Sequence, residues 1–280
     1  MRRFIAIFLI LFSLKSFSEE IDRLPSGVPN LNGVWQVMNT ANFNLEAHSS
    51  SAALQMVEGP VVPIPHPSVV ALGAVGSIPG GLSVVEEGKI PYKKIALRKR
   101  DNNKANWIDL DPEIKCYLPG VPRATYMPYP FQIFHSEEAI FFAYQYAGAV
   151  RNIYLEDPGP APVDSWMGQS FGYWEGDIWV VEVTGQDERT WFDRAGNFHS
   201  YEMKVTERWN LVSENVIEYE ATIEDPQTFT RPWTIKLPLY RRLEEGYELP
   251  QFKCVEFVEE MMYGRYRKGR EGELNFQLNN

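Results

Sequence analysis

Apolar and polar residues alternate with a period of two through most of the second half of the chain, as in half-buried strands. The runs at 169–174 and 177–184 flank Glu175-Gly176, where a glycine that tolerates positive φ suits a tight hairpin turn. A polar loop at 186–197 leads into a third run at 201–209. There Tyr201, Met203, Val205 and Trp209 share one face, and Glu202, Lys204, Thr206 and Arg208 share the other. His199 and Glu207 fall on the apolar phase, the sharpest local departure from the pattern. Upstream, short runs at 131–135, 140–146 and 150–155 lie a turn's length apart, and Pro158, Pro160 and Pro162 make 156–164 an extended connector. Downstream, Ile217, Tyr219, Ala221 and Ile223 share a face, as do Trp233, Ile235, Leu237 and Leu239. With a first strand at 31–37, these runs give about eight or nine strands in mainly hairpin order. The pattern predicts a mainly β fold, an antiparallel meander barrel, because closure removes exposed sheet edges; a β-sandwich is the alternative.

Elsewhere the period changes or disappears. Pro60, Pro63, Pro65, Pro67 and Pro79 exclude long helices and central strands from the Pro/Gly-rich excursion at 39–90, which either covers one barrel mouth or forms a loop. A helix is expected over 91–107, with Tyr92, Ile95, Leu97 and Ala105 on one face and a strongly basic face opposite, read as solvated rather than as a membrane or acidic-partner site. Asp111-Pro112-Glu113 resembles a capped turn, and the prolines of 117–130 predict an ordered wrapping loop. At the far end Phe252, Val255, Val258, Met261 and Met262 stand at helical spacing, so a C-terminal helix over 251–264 should pack on the barrel.

Composition narrows the setting. A basic start at Met1-Arg2-Arg3, an apolar run at 4–14 and Ser16-Phe17-Ser18 read as a secretory signal over 1–18, leaving 19–280 as a single barrel domain. Lys15 interrupts the apolar run well short of the roughly 20 residues a span needs, so no stable membrane insertion is expected after signal removal. Losing Arg2, Arg3 and Lys15 takes the formal net charge from −10 to −13, a balance that repels phosphate backbones and argues against nucleic acid. Export to the periplasm or beyond permits oxidation of Cys116 and Cys254, which are either bridged or two buried thiols.

Longer strings carry a resemblance. KCYLPGVPR at 115–123, WMGQSFGYWEGD at 166–177, TWFDRAGNFHS at 190–200, and TIEDP at 222–226 with TRPW at 230–233 together resemble a family of exported bacterial proteins with no assigned reaction. Gly168-Gln169-Ser170 departs from that family's usual Gly-Asp-Ser and removes one carboxylate. Gly33-x-Trp35 also resembles the opening signature of the lipocalins and wider calycins. That likeness implies a barrel able to enclose a small apolar molecule, with Trp35 capped by an arginine of the last strand. Arg241, at the inner end of the last run, is the candidate; the other reading leaves it on the surface beyond a frayed strand.

The chain has no Gly-x-Ser-x-Gly elbow, phosphate loop or His-Glu-x-x-His helix. His48, His66, His135 and His199 are too scattered for a local metal site, so neither metal nor cofactor is expected. The chemistry left is acid–base work inside a barrel. His199 would act as general acid or base, oriented by Asp193, with Glu207 about 26 Å away along the same wall at about 3.3 Å per residue. Tyr144, Tyr146 and Tyr201 would donate to a carbonyl or phenol, Arg123 would hold an anionic group, and Trp179 would line the interior. Each has a structural alternative: His199 bonded to a loop carbonyl, Glu207 paired with Arg208, Arg231 or Arg241, Asp193 and Arg194 closing their own loop. Two functions follow: a cofactor-independent lyase or isomerase acting on a small apolar or aromatic molecule, or a non-catalytic carrier of such a molecule. A glycan-binding surface is a weaker third, because Trp35, Trp179, Trp209 and Trp233 lie on core phases.

Overall fold

The computed structural model describes residues 21–52, 55–56, 70–71 and 77–255, so the expected signal segment lies outside the described residues. Nine strands close a barrel: β1 (Gly33–Val37), β2 (Phe131–His135), β3 (Ile140–Tyr144), β4 (Val150–Tyr154), β5 (Gln169–Glu175), β6 (Ile178–Thr184), β7 (Lys204–Ser213), β8 (Val216–Glu224) and β9 (Trp233–Arg241). Strands adjacent in sequence are neighbours throughout, and β1 pairs with both β9 and β2 to complete the ring. The expected all-antiparallel meander needs one correction, because β4 and β5 run parallel through Ile153↔Ser170 and Tyr154↔Phe171. Direction cannot alternate all the way round an odd ring, so nine strands require one parallel step. A parallel step in turn needs a crossover of a dozen or more residues, which the proline-bearing segment 155–168 supplies.

The β5–β6 hairpin turns at Gly176-Asp177, one residue later than the pattern suggests. Glu175 stays in the ladder opposite Ile178, with Arg208 of β7 paired to its carboxylate at 2.8 Å. Gly176 takes φ +62°, the conformation its lack of a Cβ permits.

Closure centres on Trp35. It lies in register with Arg241 on one side and Phe131 on the other, its ring is fully buried, and its Nε1 donates to the Leu31 carbonyl at 3.0 Å. The Arg241 guanidinium sits 4.3 Å above that ring and donates to the carbonyls of Asn32 and of Glu214. Gly33 makes this approach possible: at φ +143°, any Cβ there would run into the guanidinium. The two ends of the barrel sequence are thus joined by a ladder and by a cation held on an aromatic face.

Three outer segments complete the wall. The part of β9 beyond the reach of short β1 pairs with 84–86 through Glu86 N to Thr234 O at 3.0 Å and Lys236 N to Val84 O at 2.9 Å, so the end of the excursion covers a bare edge. Helix α1 (Lys94–Ala105) forms as expected, but not by the expected face. Ile95 is 69% exposed, while Ala96 packs with Trp191 and Phe198 and Asn103 is buried. Close approach decides the face, since a Cβ on Gly196 would collide with the α1 backbone, and Asn103 Nδ2 donates to the Gly196 carbonyl at 3.2 Å. The wrapping loop contributes α2 (Arg123–Tyr126), all four residues buried, with Val121, Ala124 and Tyr126 in the barrel core.

Cys116 and Cys254 are bridged, which decides between the two readings of these residues. Phe252 packs on Tyr129 and Tyr146 at ring distances of 5.3 and 4.9 Å. Residues 251–255 are not helical, and the rest of the expected C-terminal helix lies outside the described residues.

Candidate functional site

The inner faces of β3, β4, β5, β7 and β8 bring five polar side chains into an otherwise apolar core. Arg151 and Glu207, 1% and 0% exposed at the side chain, form a fully buried ion pair. Arg151 Nε donates to Ser170 Oγ at 2.8 Å, and Tyr219 OH donates to Glu207 Oε1 at 2.6 Å. Burial and the adjacent carboxylate raise the Tyr219 phenol well above its ordinary value, so it stays protonated and donating. Burial alone would lower the Arg151 guanidinium, but the Glu207 charge outweighs it and the net shift is upward. Besides the pair itself, each partner has one further hydrogen bond, Arg151 to Ser170 and Glu207 from Tyr219.

Three further atoms border this network. Thr125 Oγ1, Tyr144 OH and Arg151 Nη1 are buried and find no hydrogen-bond partner among the described residues. The Tyr144 hydroxyl lies near both Arg151 and Thr125 without a well-formed hydrogen bond to either. Burial holds this phenol protonated. All three groups can donate, and the apolar surround is the ring set Phe131, Phe142 and Trp209, centred 5.0–6.2 Å from one another or from Tyr144. Because Glu207 already cancels the charge of Arg151, such a donor set suits a neutral acceptor oxygen better than a second anion.

Arg151 and Ser170 also line a cleft of about 350 Å³ on the outer side of the parallel step, beneath Ala161, Val163 and Met167 of the crossover. The ladder pairs only two residues of each strand here, and the Arg151–Ser170 hydrogen bond carries the contact beyond them.

The structure does not assemble the other expected site residues into one site. His199 is buried, but its Nδ1 donates to the Ser200 carbonyl at 2.8 Å and its Nε2 lies 2.6 Å from Thr190 Oγ1. Burial lowers its pKa, so the ring is neutral and bound to its own loop. Asp193 does not orient it. Its carboxylate accepts from Leu45 N at 2.9 Å, Ala195 N at 2.9 Å, Asn197 N at 3.3 Å and Asn197 Nδ2 at 2.6 Å, which organises 193–197 and ties it to the excursion. Glu207 pairs with Arg151 rather than with Arg208, Arg231 or Arg241. Arg123 holds no open position: it is 1% exposed and donates to Asn42 at 2.8 Å, Asp111 at 3.1 Å and Glu113 at 2.6 Å. Burial would raise the Glu113 carboxyl, yet the charges of Arg194 and Arg123 hold it down to about 2. Tyr146 OH donates to the Glu113 carbonyl at 2.6 Å, next to the disulfide-tethered segment. Tyr201 is 54% exposed and accepts from Gln227. Trp179 is buried against Trp174, and its Nε1 too finds no partner among the described residues.

Of the expected residues, then, Glu207, Tyr144 and Trp179 belong to the barrel interior, and Arg151, Ser170, Tyr219 and Thr125 join them. The available signal was Arg151. In the run 150–154 the phase Arg151–Ile153 is the buried one, yet Val150 and Tyr154 on the other phase look equally suited to burial in the sequence. Among the described residues no group of His, Cys, Asp and Glu side chains is arranged to hold a metal ion. The fold and its interior define a closed nine-stranded mixed barrel with a buried Arg–Glu–Tyr network. Compared with known protein families, curated proteins and solved structures, the chain finds no match.

Proposed function

We propose that this protein is an exported barrel that binds a small, largely apolar molecule through a single neutral oxygen, a carbonyl or hydroxyl, held by Tyr144, Arg151 and Thr125. The observation that supports this is a set of three buried donors, Tyr144 OH, Thr125 Oγ1 and Arg151 Nη1, that lack a well-formed hydrogen bond among the described residues and lie beside the buried ion pair. Leaving each such group unsatisfied costs about 1–3 kcal/mol, so one acceptor reaching all three gains on each. The rings of Phe131, Phe142 and Trp209 supply the apolar contact, and the cleft at the parallel step is the proposed approach. The calycin likeness of the Trp35–Arg241 closure and the resemblance to the exported bacterial family belong to the same reading, as does removal of residues 1–18.

Carriage is preferred to catalysis because His199, Asp193 and Glu207 each have separate partners, so no acid–base pair faces a common point. The test is a panel of apolar ketones, lactones, quinones and phenols, screened by ligand-dependent thermal stabilisation and followed by calorimetry. A ligand at 100 times its Kd should add about 2.7 kcal/mol of stability, and Tyr144→Phe should weaken binding about ten-fold. Binding by Tyr144→Phe at undiminished affinity, or no saturable ligand in the panel or in solvent extracts of the purified protein, overturns the reading. Amino-terminal sequencing of protein recovered from outside the cytoplasm should begin at Glu19.

A further inference from the structure

On the outer surface, away from the interior network, α1 and the loops at 110–117, 166 and 188–198 enclose a groove of about 300 Å³. Its walls are aromatic: Trp191 and Phe198 on one side, Tyr117 and Trp166 on the other with ring centroids 5.0 Å apart. Cations lie against those rings. Lys99 Nζ stands 4.3 Å from the Phe198 centroid, and Arg189 Cζ stands 4.7 Å from that of Trp166. Lys115 and Glu188 also line the groove. Asp187 offsets Arg189 through bonds at 2.9 and 3.0 Å, whereas Lys99 has the Phe198 ring and no carboxylate as its partner among the described residues. In a chain of formal net charge −10, this is a local reversal of sign with flat hydrophobic walls.

We propose that this groove is a second binding site, for a small planar organic anion such as an aromatic carboxylate. The aromatic walls favour a flat ring, and the cations at their edges favour an anionic group that the rest of the acidic surface repels. The volume lies at the lower end of small-molecule pockets, which limits the ligand to about one or two fused rings. The groove shares no lining residue with the cleft at Arg151 and Ser170, and among the described residues none of its side chains hydrogen-bonds to Arg151, Glu207 or Tyr219.

Calorimetric titration with indole-3-acetate and its neutral counterpart indole-3-acetamide tests the proposal on the full protein. The acid should bind saturably and about ten-fold more tightly than the amide, weaken with added salt, and lose about ten-fold in Lys99→Gln, an exposed position on α1. Tyr144→Phe should leave this binding unchanged. No saturable heat up to about 5 mM, equal affinity for acid and amide, an unaffected Lys99→Gln variant, or loss of binding in Tyr144→Phe would each overturn it.

Discussion

Glu207→Gln removes one charge from the barrel interior and leaves its shape almost unchanged. In the parent, both carboxylate oxygens are engaged, one by Arg151 and the other by Tyr219 at 2.6 Å, and no part of the residue reaches solvent. The amide has one acceptor oxygen, so either the guanidinium or the phenol loses its partner, and the guanidinium becomes an uncompensated buried cation. Breaking a buried pair in this way costs about 3–5 kcal/mol. At about 2–4 °C per kcal/mol for a domain of this size, Tm should fall by about 6–20 °C. A fully apolar replacement, Arg151→Met with Glu207→Met and Tyr219→Phe, removes the charges and the phenol together and should return to within about 2 kcal/mol of the parent. Equilibrium denaturation with the disulfide intact, read by tryptophan fluorescence and far-ultraviolet dichroism at constant m-value, measures both. A single-variant loss below about 1 kcal/mol would mean that the pair is solvated, and an apolar variant as unstable as Glu207→Gln would mean that charge burial is not the cause. The apolar variant should also fail to bind the carbonyl ligand, separating recognition from folding.

Asp193→Asn should cost about 2–5 kcal/mol in the same assay, because one amide oxygen cannot serve the four N–H donors around Asp193, and two donors are left unpaired. Acid should destabilise the fold through Glu113: its carboxyl is held down to about 2, so its contribution is complete above about 4.5 and is lost as pH falls through about 2. Glu113→Gln should flatten the stability profile across that window, and an unchanged slope there would refute the assignment. Burial brings His135 down to about 4 against the opposing pull of Glu137, so between about 6.5 and 4 the unfolded chain binds the extra proton and stability falls as pH drops. Asp193, raised by burial to about 6, works the other way, losing stability as pH rises towards 6, so a His135→Gln and Asp193→Asn pair should tilt the profile in opposite directions from pH 4 to 6.

The strands were legible because a period of two and a turn glycine are local facts. Residues 216–224 and 233–239 need no distant information to declare an inner face, and Trp35 with Arg241 could be paired once closure was assumed. The helix at 94–105 was legible as a helix, but the face it buries follows from Gly196 and from the loop that crosses it. The site was half legible. Glu207 stood out as a charge on an apolar phase, but its partner lies three strands away on a run whose two phases look alike. Arg123 and Asp193 were candidates by residue type alone, and their saturation by Asp111, Glu113, Asn42 and Leu45 depends on segments that carry no period at all.

Sequence alone determined the strand runs, the inner residues of the last three strands, the basic helix and the Gly33-x-Trp35 start, each set by interactions within a few residues. Tertiary structure decided the parallel step, the partner of every buried charge, the Cys116–Cys254 bridge and the separation of His199, Asp193 and Glu207. The physical reason is that strand direction round a closed ring and compensation of buried charge are global conditions. An odd ring needs one parallel neighbour pair, and a buried guanidinium needs a carboxylate from whichever strand closure brings beside it.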